Sequence, residues 1–246
     1  MIKALFFDLD GTLVQTEKVK ALSYARAAVE LAPSHLSENE VMNVYKTVVG
    51  LTRSEVAKKL ITELKIEKTA FQLTKKMGVA EGWQAFLQLR LQYYEKMINE
   101  PNLVHAYACP FNIGLLRWSR KNGYRTGLAT MSYRNQTQKI LDILNLSTLF
   151  NSIATRDDVR NGKPDPEIYL LLATLQRLNP EDCLVIEDSP VGIQAALNAD
   201  MNCIAVTNEL TKKSVHDSML LNPDCIVDDL EKLQATVESF IQHNTC

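Results

Sequence analysis

Two carboxylates one residue apart, Asp8 and Asp10, close the stretch Lys3-Ala4-Leu5-Phe6-Phe7-Asp8-Leu9-Asp10-Gly11-Thr12-Leu13-Val14. An apolar run that ends in acids reads as a buried strand delivering charge to the edge of a sheet. Unpaired charge there is costly unless a cation or hydrogen-bond donors meet it. A metal ion is the simplest remedy, and hard oxygen donors with no His or Cys beside them favour Mg2+ over zinc. Gly11 permits a sharp turn and a close approach of backbone to ligand, while Thr12 offers a hydroxyl and an amide to an anion, with phosphate the expected one. Taken alone, the stretch also fits a strand that ends in a solvated Asp turn. The rest of the chain decides between the two.

The elements that must position these acids fall into two textures. From Val14 to about Asn99 the sequence is helical, with apolar residues at helical spacing over Glu17 to Leu31, Ser37 to Val48, Ser54 to Leu64 and Ala80 to Ile98. Breaks are expected at Ala32-Pro33-Ser34, Gly50 and Gly78. An all-helical insertion behind an acidic turn suits a lid over a site at the strand end. From Cys109-Pro110 onward, strands and helices alternate. Strands are expected at Arg125 to Ala129, Ser152 to Ala154, Cys183 to Ile186, Met201 to Val206 and Cys225 to Val227, with a closing helix from Leu230 to Ile241. This is the pattern of an α/β fold with a doubly wound, mainly parallel sheet and right-handed crossovers. The expected division is a core of residues 1–15 and 100–246 with a helical domain at 16–99.

Ligands of such sheets bind outside the carboxyl ends of the strands, near the point where strand order reverses. Asp8 and Asp10, Thr130 and Ser132, and Glu187 and Asp188 all stand at strand ends and should converge there. Lys163, in Asn161-Gly162-Lys163-Pro164-Asp165-Pro166, occupies a loop on the same side, and the glycine and two prolines restrict that loop. Each residue also has a plainer reading: an exposed loop lysine, helix caps at Thr130, Ser132 and Glu187, and core packing for Trp83, Tyr93 and Tyr94.

The 246 residues can bury a substantial core, and a formal net charge of −2 offers no whole-chain attraction to nucleic acid or to an anionic membrane. No apolar run spans a bilayer and the start lacks the pattern of a secretory leader, so a cytoplasmic protein without nucleic-acid or membrane partners, acting as a monomer, is expected. The five cysteines form no CxxC pair and read as reduced thiols, mostly core filler. His35, His105, His216 and His243 are scattered, which disfavours zinc.

Asp8-Leu9-Asp10-Gly11-Thr12-Leu13, Thr130, Asp157-Asp158-Val159 through Gly162-Lys163-Pro164-Asp165-Pro166, and Glu187-Asp188-Ser189-Pro190-Val191-Gly192 match, in order, the four motifs of the haloacid dehalogenase-like superfamily. The chain resembles its β-phosphoglucomutase-like branch of phosphohydrolases, from Met1 to about Val227, with the helical insertion resembling that branch's cap. The resemblance implies a Rossmann-like core, Asp8 as the nucleophile that forms an aspartyl-phosphate, and Asp10 as the acid for the leaving oxygen and then the base for water. It implies Thr130 and Lys163 as further catalytic groups, with Gly11, Thr12 and Ser132 around the substrate. It also implies Mg2+ held by Asp8, the main-chain carbonyl of Asp10 and Asp188, with Glu187 as a ligand or an acceptor behind the ligands.

Asp10 separates the branches. Relatives that cleave carbon–halogen or carbon–phosphorus bonds lack an acid there, and phosphonate-cleaving relatives use a cap lysine near the position where this chain has Arg53, which cannot form a Schiff base. Arg53 resembles the cap arginine that grips the second phosphate in mutases, as a two-pronged guanidinium can, yet it also fits a helix-surface charge. Lys20 stands where those mutases carry a hinge histidine, Gln15 replaces the acid that often precedes Thr16, and Cys109-Pro110-Phe111 departs from the usual Pro-Gly. A lysine cannot serve as the same proton relay near neutral pH. The expectation is therefore a phosphatase acting on a small phosphorylated metabolite, of the sugar phosphate class, with Lys20 and Arg53 as substrate contacts. A phosphosugar mutase and a non-catalytic binding protein on the same scaffold are the alternatives.

Overall fold

The protein is described by a computed structural model for residues 1–48 and 51–243. It divides into two compact units, Met1–Gln15 with Val104–Cys246 and, between them in the chain, Thr16–Leu103. The return to the first unit thus falls at Val104, a few residues past residue 100.

The first unit is built on six parallel strands, β1 (Ala4–Phe7), β2 (Arg125–Ala129), β3 (Ser152–Ala154), β4 (Cys183–Glu187), β5 (Asn202–Val206) and β6 (Ile226–Val227), in the order β3-β2-β1-β4-β5-β6. Every residue of β1 and β4 is buried, as continuous apolar runs demand when both faces of a sheet are covered. Strand order reverses between β1 and β4, so their carboxyl ends flank the crevice where such sheets bind ligands. The strand bounds follow the alternation read from sequence to within a residue at most ends.

The second unit contains α1 (Thr16–Leu31), α2 (Glu38–Tyr45), α3 (Arg53–Glu63), α4 (Glu67–Gln72), α5 (Thr74–Met77) and α6 (Gly82–Met97). Its core gathers Tyr24, Val41, Tyr45, Leu60 and Phe86. Two of its starts carry reciprocal caps, Ser37 with Glu40 before α2 and Thr52 with Glu55 before α3. Gly78, at φ +66, ends α5. The expected helix Ser37 to Val48 ends its α-helical part at Tyr45 and tightens into a 3-10 turn over Lys46–Val48, and the expected break at Gly50 lies outside the described residues. Between Leu64 and Ala80, where no helix is expected from the periodicity, α4 and α5 are too short to show it.

The chain returns through α7 (Pro101–Ala106) and continues in α8 (Pro110–Lys121), α9 (Arg134–Ile143), α10 (Glu167–Gln176), α11 (Pro190–Asn198), α12 (Lys212–Ser218) and α13 (Leu233–His243). Helices α10 and α11 share a buried cluster with Phe6 and Val185, while α8 packs on β1 and β2 and α13 on α8. The expected closing helix begins as a 3-10 turn at Leu230–Lys232. The outgoing and returning segments pair within the first unit, where Gln15 N donates to Tyr107 O at 2.8 Å and Cys109 N to Leu13 O at 2.9 Å. No described helix is long and apolar enough to cross a membrane. Cys109, Cys183 and Cys203 are buried reduced thiols, but Cys225 departs from that expectation because it is disulfide-bonded.

Gly127 in β2 shows how closely the sheet and α10 approach. A methyl there would stand 2.8 Å from Phe6 Cδ1 and 3.0 Å from Leu172 Cδ1. Overpacking of this kind costs about 1–3 kcal/mol. Gly127→Ala is expected to lower the urea midpoint accordingly with an unchanged m-value, and an unshifted midpoint would show that the layer is looser than these distances imply.

Candidate active site

Register puts Asp8, Ala129 and Glu187 on one rung, because Phe7 is level with both Leu128 and Ile186 and Asp8 N continues the ladder to Ile186 O at 3.1 Å. Lys163 reaches all three strand ends. Its Nζ donates to Asp8 Oδ1 at 2.8 Å, to Glu187 Oε1 at 2.6 Å and to Ala129 O at 3.1 Å. An ammonium has three N–H groups, so this arrangement uses all of them and fixes the head group's orientation. The loop that carries it is tied down by Asp165 N to Gly162 O, by Glu167 accepting from Arg160 N and Asn161 N, and by Asn198 Nδ2 on Pro164 O. The Lys163–Pro164 peptide is cis. Lys163 is thus a buried site residue and not an exposed loop lysine.

Asp10 follows one turn later. Its Oδ2 accepts from Thr130 Oγ1 and from Ser132 Oγ, each at 2.8 Å. Neither hydroxyl caps α9, correcting the helix-cap reading of Thr130 and Ser132; Arg134 N at the start of that helix donates to Asp157 Oδ2 instead. The turn between Asp8 and Val14 closes through Gly11 N to Val14 O at 2.7 Å and Leu13 N to Leu9 O at 3.0 Å, with Thr12 fully buried. Gly11 has φ +94, which a side chain resists, and a methyl there would stand 2.0 Å from Asp188 Oδ2. The glycine is therefore required by backbone conformation and by the space that Asp188 fills.

Glu187 accepts five hydrogen bonds. Oε1 takes Lys163 and the Tyr169 hydroxyl, and Oε2 takes Asp188 N, Ser189 N and Ser189 Oγ. With both oxygens occupied it serves as the frame behind the site. Asp188 Oδ2 accepts from Asn208 Nδ2 at 3.0 Å, and Asn208 Oδ1 in turn accepts from Leu210 N and Thr211 N. Asn208 and Tyr169 are the site residues that sequence reasoning missed. Asn208 is a polar stop just past β5, in the same row as the acids, and could have been found that way; Tyr169 lies within α10, where an aromatic reads as core.

Asp8, Glu187 and Asp188 present ligand oxygens within 4.8 Å of one another, all buried. With every acid ionised, three carboxylates against one ammonium would leave two negative charges in this cluster. Burial pushes Asp8 up to about 7, opposed by Lys163 and reinforced by Glu187 and Asp10. Burial also raises Asp188 well above the usual carboxylate range, with Glu187 and Asp8 adding to it. Burial disfavours the Lys163 ammonium, yet Asp8 and Glu187 outweigh that and hold it protonated. Asp8 Oδ2 is buried without a partner. An orphaned carboxylate oxygen, hard oxygen donors and an excess of two negative charges fit a dication such as Mg2+.

The other two residues expected at the site belong to the helical unit. Lys20 pairs with Glu17 at 2.6 Å, and Arg53 opens α3 as an exposed residue after its Thr52 cap.

Residues 5–206 match the family model described as haloacid dehalogenase-like hydrolase, and the chain belongs to that family. A Thermotoga maritima protein named "Phosphorylated carbohydrates phosphatase" is 29% identical over 205 residues, covering 82% of this chain and 84% of that protein. Among solved structures, CbbY from Rhodobacter sphaeroides in complex with phosphate superposes with a TM-score of 0.69 at 21% identity, covering 97% of this chain and all of that one. The β-phosphoglucomutase of Clostridium difficile gives 0.64 at 24% identity, covering 99% of this chain and 100% of that one. The fold is that of the β-phosphoglucomutase-like branch.

The raised carboxyls set a pH dependence. Between about pH 4 and 7 Asp8 holds its proton more tightly in the folded chain than in the unfolded one, so its contribution to stability falls as pH rises through this range. In EDTA, the melting temperature contributed by the site is expected to drop by several degrees from pH 5 to pH 8, and Asp8→Asn to flatten that slope. Equal slopes for both proteins in calorimetry would refute the assignment.

Proposed function

We propose that the protein is a Mg2+-dependent phosphatase that hydrolyses a small phosphorylated metabolite, of the sugar phosphate class, through an aspartyl-phosphate on Asp8. The carrying observation is the buried set of Asp8, Lys163, Glu187 and Asp188 with Asp10 one turn away. The name of the Thermotoga maritima relative supports a phosphorylated carbohydrate as substrate, as does a second CbbY structure in complex with xylulose-1,5-bisphosphate.

In this reading Asp8 and Asp188, with the main-chain carbonyl of Asp10, hold the metal, and Glu187 stands behind them. When bound, Mg2+ offsets the charge of the phosphoryl oxygens and of the carboxylates beside them. The remaining steps belong to the chain. A carboxylate oxygen of Asp8 attacks phosphorus as the bond to the leaving oxygen breaks, and Asp10 gives that oxygen a proton. Asp10 then takes a proton from water, whose oxygen attacks phosphorus and releases phosphate and the free Asp8 carboxylate. Thr130 and Ser132 orient the Asp10 carboxyl through their hydroxyls. Lys163 screens the negative charge of the incoming phosphoryl group, and the turn amides near Gly11 and Thr12 orient its oxygens.

Lys20 and Arg53 contribute to substrate recognition in this reading, and the enzyme acts as a cytoplasmic monomer, where charged metabolites are retained. The test is phosphate release over a panel of phosphorylated metabolites with Mg2+ or EDTA, following glucose 6-phosphate formation from β-glucose 1-phosphate in parallel. Metal-dependent release from a few members is expected, with Asp8→Asn lowering turnover by about a thousandfold or more in a folded protein. Isomer formation without net phosphate release would replace the reading with a mutase. Activity above a few per cent of wild type in Asp8→Asn would remove the nucleophile.

A further inference from the structure

Asn208, the second residue past β5, has each of its polar groups engaged. Its Nδ2 donates to Asp188 Oδ2 at 3.0 Å. The rest of the residue belongs to the entry of α12. Its Oδ1 accepts from Leu210 N at 2.9 Å and from Thr211 N at 3.2 Å, its backbone carbonyl accepts from Lys212 N at 2.9 Å, and its backbone N donates to Thr211 Oγ1 at 3.2 Å. The amide that meets Asp188 therefore points where Thr207 and the start of α12 put it.

Both of those lead to one carboxylate. Thr207 and Asp228 are the residues next after β5 and β6, level with each other: Val206 pairs with Val227, and Thr207 N continues the ladder to Val227 O at 3.1 Å. Thr207, 5% exposed, donates its hydroxyl to Asp228 Oδ1 at 2.7 Å. From α12, one turn apart, Lys212 Nζ reaches Asp228 Oδ2 at 2.9 Å and His216 Nε2 lies 3.1 Å from Oδ1 and 3.2 Å from Oδ2. Burial would raise this carboxyl, but Lys212, Thr207 and His216 together hold it at about 2, so it is ionised at working pH. Surface ion pairs of the Lys212 and His216 kind are individually weak. Their convergence is the informative feature. Water would satisfy an aspartate at a sheet edge, yet this one takes a buried hydroxyl and two side chains of a single helix, and those partners flank Asn208 in the chain.

We propose that Asp228 and Thr207 are positioning residues for Asp188, setting through Asn208 the orientation of a carboxylate that holds the divalent cation. This rests on the metal-dependent reading and extends it to two residues outside the ligand set. Groups behind metal ligands fix their orientation, and removing one commonly weakens affinity by about tenfold or more.

Mn2+ binding to the full chain, followed by electron paramagnetic resonance of the free ion, tests this without turnover. Mn2+ is the probe because it shares the oxygen ligands of Mg2+. Affinities are compared at a temperature where circular dichroism shows every variant folded. Asn208→Ala is expected to weaken binding by about tenfold or more, and the near-isosteric Thr207→Val and Asp228→Ala by roughly fivefold each. Thr207→Ser, which restores the hydroxyl, should bind within about twofold of wild type. Added to Asn208→Ala, Thr207→Val should cost less than about twofold, because residues acting along one route are not additive. A purely structural role lowers the melting temperature and leaves the affinity of the folded protein unmoved. Thr207→Val and Asp228→Ala proteins that both bind as wild type does therefore overturn the proposal, whatever their melting temperatures, and leave the two residues as a clamp on the sheet edge. A full fivefold loss on top of Asn208→Ala also overturns it, since the route would not pass through Asn208. Wild-type protein that takes up no Mn2+ defeats the metal reading and the proposal with it, whereas wild type and variants that bind equally well defeat the proposal alone.

Discussion

The three hydrogen bonds of one ammonium hold the catalytic end of the sheet together. Lys163 takes one acceptor from each of three adjacent strand ends, Ala129, Asp8 and Glu187, all on one rung. Breaking such a buried set by removing one partner leaves uncompensated charge and is among the costlier single changes a protein can suffer. The same interaction leaves a remainder: one positive charge cannot match three ionised carboxylates, and the unmatched charge is of the kind a dication fits.

Around this centre the supporting residues divide by the acid they serve. Glu187 is fully engaged by Lys163, Tyr169 and the amides of Asp188 and Ser189 just before α11, so it stiffens the frame. Gly192 in α11 gives it room, since a methyl there would fall 1.7 Å from Glu187 Oε1. Asp188 is held between Asn208 on one side and the bare backbone of Gly11 on the other. Asp10 is oriented by two hydroxyls from the end of β2. Each acid has a different environment, and in a site of like charges such differences let neighbouring carboxyls differ in their hold on a proton.

Much of this was legible in the sequence because the relevant signals are local. Apolar runs that stop at Asp8, Thr130 and Glu187 mark strand ends, and alternation with helices forces those ends to one side of a parallel sheet. The short helices α4 and α5 were not legible, since one or two turns show no period, and the 3-10 starts and ends of longer elements blur their bounds. Tyr169 and Asn208 depend on partners 18 and 20 residues away, which no spacing reports. The hydroxyls of Thr130 and Ser132 fit a cap as well as a site from sequence, and only the position of Asp10 separates the two.

The pairing of Gln15 with Tyr107 and of Leu13 with Cys109 joins the two ends of the helical unit inside the core's own backbone ladder. The intervening chain is, in polymer terms, a loop whose closure is secured by hydrogen bonds it does not contain. The entropy of closing a loop grows only with the logarithm of its length, by roughly 0.6 kcal/mol per doubling. Helices could be added, lost or exchanged between those ends with little effect on the sheet, so the helical unit can diverge while the rung of Asp8, Ala129 and Glu187 stays as it is.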